Sequence, residues 1–245
     1  MLGLTTTNDP GTTGVKDIAV ALGGGIKENS LIIIEGEDRS GKSVLTQHIA
    51  YGVLNSKGSS VAFYSTEYDA EGLIAQMDSM CLETRHELGT DRFRVYKLGP
   101  ATVLENAEKS LKLIVDHIAT LPQRFKLAIV DSPSPFLIRL SPLLQIDFLQ
   151  TCKELCEHDR TIILVLNPHV FATKTLVRAY MMSDYYLKLK SKDAMLEPGQ
   201  IDTRVIKSLE VTKLGGAERL GQEGIKFEIK PRMGIQILPF VQVKV

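Results

Sequence analysis

The segment Gly36-Glu37-Asp38-Arg39-Ser40-Gly41-Lys42-Ser43 matches G-x-x-x-x-G-K-[ST] at every position, a spacing suited to gripping a chain of phosphates. Its glycines let the backbone curl until successive N–H groups point at phosphate oxygens, and the helix that follows offers its positive end to the same anion. Lys42 is placed to reach the β and γ phosphates, and the Ser43 hydroxyl to join a Mg²⁺ shell. The candidate nucleotide-binding residues are therefore Glu37, Asp38, Arg39, Ser40, Gly41, Lys42, Ser43 and Val44, with ATP and Mg²⁺ as the implied ligands. Directly before this loop runs Leu31-Ile32-Ile33-Ile34, apolar as a buried strand requires. Directly after it, Leu45, Ile49 and Val53 recur four residues apart, which predicts an amphipathic helix from Val44 to Leu54.

A second group of acids has the placement that phosphate chemistry needs. Leu127-Ala128-Ile129-Val130-Asp131 is four apolar residues ending in an acid, and such an acid at the carboxyl end of a parallel strand can hold Mg²⁺ through water. Asp131 thus joins Ser43 as a candidate metal residue. Hydrolysis needs one more carboxylate, to polarise the attacking water. Val61-Ala62-Phe63-Tyr64-Ser65-Thr66-Glu67 puts Glu67 at the end of the strand after the loop helix, either as that catalytic base or as a solvated loop residue or helix cap. Asn167 ends the run Thr161–Leu166 and reads either as a γ-phosphate sensor or as half of an Asn-Pro turn with Pro168.

These residues need a scaffold of alternating strands and helices. Strand-like runs fall at Leu31–Ile34, Val61–Ser65, Leu127–Val130 and Thr161–Leu166. Between them, Thr102-Val103-Leu104-Glu105 has the form of a capping box before a helix whose Leu111, Ile114, Val115 and Ile118 share one face. Ser141-Pro142 supplies an N-cap and an N1 proline ahead of Leu144, Phe148, Cys152 and Leu155. The alternation implies a parallel sheet covered on both faces. Toward the end, Tyr185–Leu189, Val205–Val211, Ile225–Ile229 and Ile235–Leu238 are strand-like with little helix between them, and predict antiparallel strands extending one sheet edge. Residues 1–14 read as a leader or arm, Gly23-Gly24-Gly25 as a second break, and residues 1–245 as a single domain without repeats.

Composition narrows the function class. Hydrophobic residues at 44% and charged residues at 24% fit a globular core with a solvated surface. Lys+Arg and Asp+Glu both number 29, so no overall basic field draws nucleic acid or an anionic membrane. The opening residues carry no cationic or apolar secretory signal, and no apolar run approaches a membrane span, so a cytoplasmic protein is expected. Cys81, Cys152 and Cys156 form no metal or disulfide pattern, and the histidines stand singly.

The glycine turn Gly23-Gly24-Gly25-Ile26 followed by Leu31 to Ser43 resembles the RecA/RadA/KaiC class of P-loop ATPases. The phrase Ile33 to Ser43, together with Ser65-Thr66-Glu67-Tyr68, Val130-Asp131-Ser132 and Ser183-Asp184-Tyr185-Tyr186, is similar to the FlaH (ArlH) family, KaiC-like ATP-binding subunits of the archaeal flagellum (archaellum) motor. The resemblance implies an α/β fold: a RecA-like core with a mostly parallel central sheet, flanking helices and antiparallel strands at its C-terminal edge. It also implies ATP–Mg²⁺ binding by Lys42, Ser43 and Asp131, and a cytoplasmic place at the membrane-embedded base of the motor. Its implied partners are the motor ATPase FlaI and a membrane-anchored scaffold ring (FlaX or FlaC/D/E type), with a ring of its own copies and no nucleic acid. Two departures touch mechanism. KaiC-like hydrolases place two adjacent glutamates where Glu67 is here followed by Tyr68, and KaiC rings complete each site with a Lys-x-Arg from the neighbour, where this chain has Lys213-Leu214-Gly215. An arginine finger is worth ~10³–10⁵ in rate, so binding with slow or negligible turnover is expected. Lys213 either reaches a neighbour's phosphate or is a solvated loop lysine. An active ATPase or autokinase with Ser65 or Thr66 as phosphoacceptor is the alternative, and a RadA-like DNA-dependent ATPase is disfavoured by zero net charge.

Overall fold

Strand β1 (Leu31–Gly36) is buried along its whole length and hydrogen-bonds parallel neighbours on both sides, β5 (Thr161–Leu166) and β6 (Tyr185–Asp193). The computed structural model describes residues 25–56, 58–99, 106–193, 205–215, 217–218 and 224–238. Next to β5 come β4 (Phe125–Asp131), β2 (Ser60–Ser65) and β3 (Phe93–Lys97), all parallel. Beyond β6 the sheet continues through antiparallel β7 (Val205–Leu214), β9 (Ile225–Lys230) and β10 (Gly234–Ile237), with the short β8 (Ala217–Glu218) paired to β7.

The continuous apolar runs follow from this two-sided burial. Ile32 and Ile34 face a core shared with α1 (Lys42–Leu54) and α2 (Ala70–Asp78). Leu31 and Ile33 face the opposite core, filled by α4 (Ala107–Thr120), α5 (Ser134–Leu137), α6 (Pro142–Glu157) and α7 (Thr173–Met182). The short α3 (Arg85–Gly89) leads into β3. Leu111, Ile114, Val115 and Ile118 are buried as one face of α4, and Ser141 caps α6 by accepting from the Leu144 N–H. Among the described residues no helix is long and apolar enough to cross a membrane.

Four expectations change. The strand at Tyr185 is parallel to β1, so the antiparallel extension begins one strand later, at β7. β3 was not expected, because Phe93-Arg94-Val95-Tyr96-Lys97 has only its first residue fully buried and sits on the sheet edge. Helix α4 is capped by Asn106, whose side chain accepts from the Lys109 N–H, while Thr102 to Glu105 lie outside the described residues, as do residues 1–14. Helix α1 is buried nearly all round, including Thr46, Gln47 and His48, rather than amphipathic. The C-terminal strands cover its second side, with Phe227 and Ile235 in the same core as Leu45 and Ile49.

His48 carries that second contact. Its Nε2 accepts the Ile235 N–H at 3.2 Å, and burial pulls its pKa down to about 4. Unfolded, the imidazole titrates at its ordinary value, so between the two values the unfolded chain binds the extra proton. The stabilisation is complete above the unfolded pKa and is lost as pH falls through it toward about 4. Denaturant unfolding should show a loss of roughly 3 kcal/mol over that window, and His48→Gln, which keeps an acceptor but does not titrate, should flatten it.

Candidate functional site

β1 delivers the chain to Gly36, where the backbone turns over the strand end with no space for a side chain. A Cβ there would lie 2.5 Å from Ser40 Oγ and 2.7 Å from the Leu189 carbonyl oxygen. Gly41, at φ 98°, has a different reason to be glycine: it occupies the left-handed region and starts α1 with no capping side chain. Arg39 is also left-handed, at φ 62°. The loop thus ends at an uncapped helix N-terminus, whose first N–H groups have no helical acceptor. Ser40 Oγ is buried without a hydrogen-bond partner among the described residues.

Lys42 folds back across the loop and donates to the carbonyl oxygens of Gly36 and Glu37, both at 2.7 Å. Burial lowers its pKa, while the charges of Asp38, Asp131, Glu67 and Glu37 act in the other direction. Asp131 ends β4 and is 9% exposed. Burial pushes its carboxyl up to about 6, with the Ser43 hydrogen bond opposing, the Glu67 charge adding, and Lys42 and Thr46 opposing. Ser43, Asp131 and Lys42 therefore act on one another and line a cleft of about 920 Å³, a size suited to a small-molecule ligand.

The structure places Glu67 in this cleft and exposed to solvent. Ser65 Oγ sets the turn by accepting the N–H groups of Glu67 (3.2 Å) and Tyr68 (2.9 Å), and Asp69 then caps α2. Tyr68 packs against the core rather than lining the cleft. Ser65 is 2% exposed and holds that turn, whereas Thr66 lines the cleft. The Thr66 N–H donates to the Asp131 carbonyl oxygen at 2.9 Å, tying the ends of β2 and β4 together. The Asp131–Ser132 peptide is cis. Asn167 forms the turn, with Oδ1 accepting from the His169 N–H at 3.1 Å, and it also lines the cleft, with Nδ2 donating to Asp38 Oδ1 at 3.3 Å.

Lys213 is neither a solvated lysine nor a group extended toward another molecule. It is buried, and its Nζ donates to the carbonyl oxygens of Tyr180 (2.9 Å) and Met181 (2.8 Å) in the last turn of α7. A one-residue bulge at Thr212 causes this: Tyr186 pairs with Lys213 and Leu187 with Val211, so Lys213 turns to the opposite sheet face from the one its spacing suggests. Conversely, Lys207 and Ile229 from the C-terminal strands line the cleft beside Gly41. Nothing in their local sequence marks them, since only the sheet order brings these strands to the loop.

Residues 11–242 match the family model described as ATPase: KaiC. The chain belongs to the KaiC family of ATPases. Within that family its relatives agree with the FlaH resemblance read from the loop and strand-end motifs. It is 28% identical over 227 residues to the archaeal flagellar ATP-binding protein FlaH of Methanocaldococcus jannaschii, covering 90% of this chain and 91% of that protein. The FlaH of Sulfolobus acidocaldarius is 26% identical over 93% of this chain and 96% of its own. In fold, the crystal structure of flagellar accessory protein FlaH from M. jannaschii superposes with a TM-score of 0.77 at 23% identity, covering 97% of this chain and 98% of that one. A KaiC-like protein from Pyrococcus horikoshii OT3 does so with a TM-score of 0.67 at 18% identity, over 89% and 93%. The KaiC-like architecture of a mostly parallel sheet, flanking helices and antiparallel C-terminal strands is the one expected from the sequence.

Replacing Lys213 by Met keeps the apolar stem and removes the donors to the end of α7. Chemical denaturation should show a loss of about 1–3 kcal/mol, as befits carbonyls left without a buried cationic donor.

Proposed function

We propose that this chain is the ATP-binding subunit of an archaeal flagellum motor. In this reading ATP–Mg²⁺ binding, rather than rapid hydrolysis, sets its association with the motor ATPase FlaI. The observation that carries it is the state of the loop: a lysine ammonium spans two loop carbonyls, and an uncapped helix N-terminus begins beside the cleft. Both fit a polyphosphate. The similarity to FlaH proteins along nine-tenths of the chain supplies the motor context.

Lys42 would hold the β and γ phosphates, together with the N–H groups of residues 37–44. Ser43 and Asp131 fit Mg²⁺, because a hydroxyl and a carboxylate that line the same cleft form an oxygen donor set, with Asp131 acting through water. ATP with Mg²⁺ would supply the charge and the terminal phosphate that distinguish one state of the protein from another. Asn167, joined to Asp38, stands where it can report that terminal phosphate to the start of α7 through the turn at Pro168. Glu67 is the one candidate base. Its exposure, and the packing of Tyr68 into the core where a second acid would stand, support slow turnover. On this reading the chain works as one domain in the cytoplasm, at the motor base. FlaI and a membrane-anchored scaffold ring adjoin it, and its own copies form a ring.

Calorimetry should show ATP–Mg²⁺ binding that Lys42→Ala reduces at least about 100-fold, in keeping with loss of a charged phosphate contact in a partly buried site. FlaI should bind the ATP-loaded, ADP-loaded and Lys42→Ala forms with different affinities. Equal affinity for all of them would sink the regulatory reading, because a ligand without differential affinity shifts no equilibrium. Steady-state phosphate release should stay below ~1 s⁻¹, the lower end of ordinary enzymes.

A further inference from the structure

Lys207 is a buried cation that none of the loop motifs includes. It lies on β7 opposite Phe227 of β9, is 8% exposed, and lines the same cleft as Lys42. Its stem passes the loop so closely that Cδ is 3.2 Å from where a Cβ on Gly41 would stand. Its Nζ donates to the Arg39 carbonyl oxygen. That is its single acceptor among the described residues, although an ammonium carries three N–H donors.

The charges around the two lysines are unequal. Lys42 lies in the field of four acids, Asp38, Asp131, Glu67 and Glu37. For Lys207 no carboxylate among the described residues contributes: burial lowers its pKa, and the neighbouring charge that acts on it is Lys42, which lowers it further. A buried ammonium facing a second ammonium, with donors to spare, is costly unless an anion enters between them. Neither packing nor the one bond to Arg39 requires a charge at this position, since an amide could make that bond.

Resting on the nucleotide reading of this site, we propose that Lys207 is a second phosphate-binding cation. It is supplied by the C-terminal sheet extension, and meets the polyphosphate beside Arg39 and Gly41 of the loop. Its bond to Arg39 holds the ammonium at the loop while the site is free of anion. Because β7 pairs with β9 of the β9–β10 hairpin, the contact also makes anion binding an interaction between the loop and the C-terminal strands.

Binding of ATP–Mg²⁺ and of inorganic tripolyphosphate, measured by calorimetry on the full chain, tests this. Lys207→Gln keeps a donor for Arg39 and removes the charge; it should weaken both ligands about tenfold, the usual scale of one charge-assisted hydrogen bond. Lys207→Arg should stay within about threefold of the parent. If Lys207→Gln binds both ligands like the parent while Lys42→Ala does not, Lys207 serves only to pin the loop and the inference is overturned, with the site reading intact. Weakening of ATP with unchanged tripolyphosphate would place Lys207 at the nucleoside end and overturn it too. If the parent chain binds neither ligand, the site reading itself fails and this inference falls with it.

Discussion

Everything at this site depends on one reversal of the backbone, where a fully buried central strand hands the chain to a buried helix within a few residues. The reversal leaves loop carbonyls pointing away from any strand or helix partner, and in this molecule ammonium groups take them up. Lys42 holds those of Gly36 and Glu37, and Lys207 holds that of Arg39. With the carbonyls engaged on these lysines, the N–H groups at the start of α1 are left for an anion. Two glycines make the path feasible, one because no side chain fits and one because its φ is left-handed.

The cleft gathers charges of both signs. Asp131 at the end of β4, Glu67 just beyond β2 and Asp38 of the loop line it, and burial above all, with the Glu67 charge adding, holds the Asp131 carboxyl at about 6. Lys42 and Lys207 line it too, both lowered by burial. A cation bridging to the acids and a polyphosphate lying against the lysines would relieve both strains together. That complementarity explains why a molecule with no net charge overall can still offer a strongly polar site.

Helix α1 joins this site to the rest of the protein. Strands β1 and β5 pack on one side of it, and the C-terminal strands on the other through His48 and Ile235. Helix α1 thus touches both the loop and the sheet extension. Glu67 stands in solvent just beyond β2, on a turn set by Ser65. The loop residues stand between β1 and α1 and Glu67 on the turn after β2, so the two are built on different elements.

The sequence by itself determined the parallel core, since continuous runs such as Leu31–Ile34 and Thr161–Leu166 are stable only with both faces covered. It also determined the loop residues, because contiguous spacing fixes their geometry without reference to anything distant. The cap at Ser141 and the apolar face from Leu111 to Ile118 were legible for the same local reason. Tertiary structure alone decided the rest. Edge strand β3 carries little burial to betray it, and β6 runs parallel because of the element it pairs with, not because of its own residues. Lys207 and Lys213 stand an even number of residues apart on one strand, where alternation would place them on the same face. The bulge at Thr212 sends one to the end of a helix and leaves the other at the phosphate loop. Strand pairing sets that register, and pairing partners distant in the chain leave no trace in the local sequence.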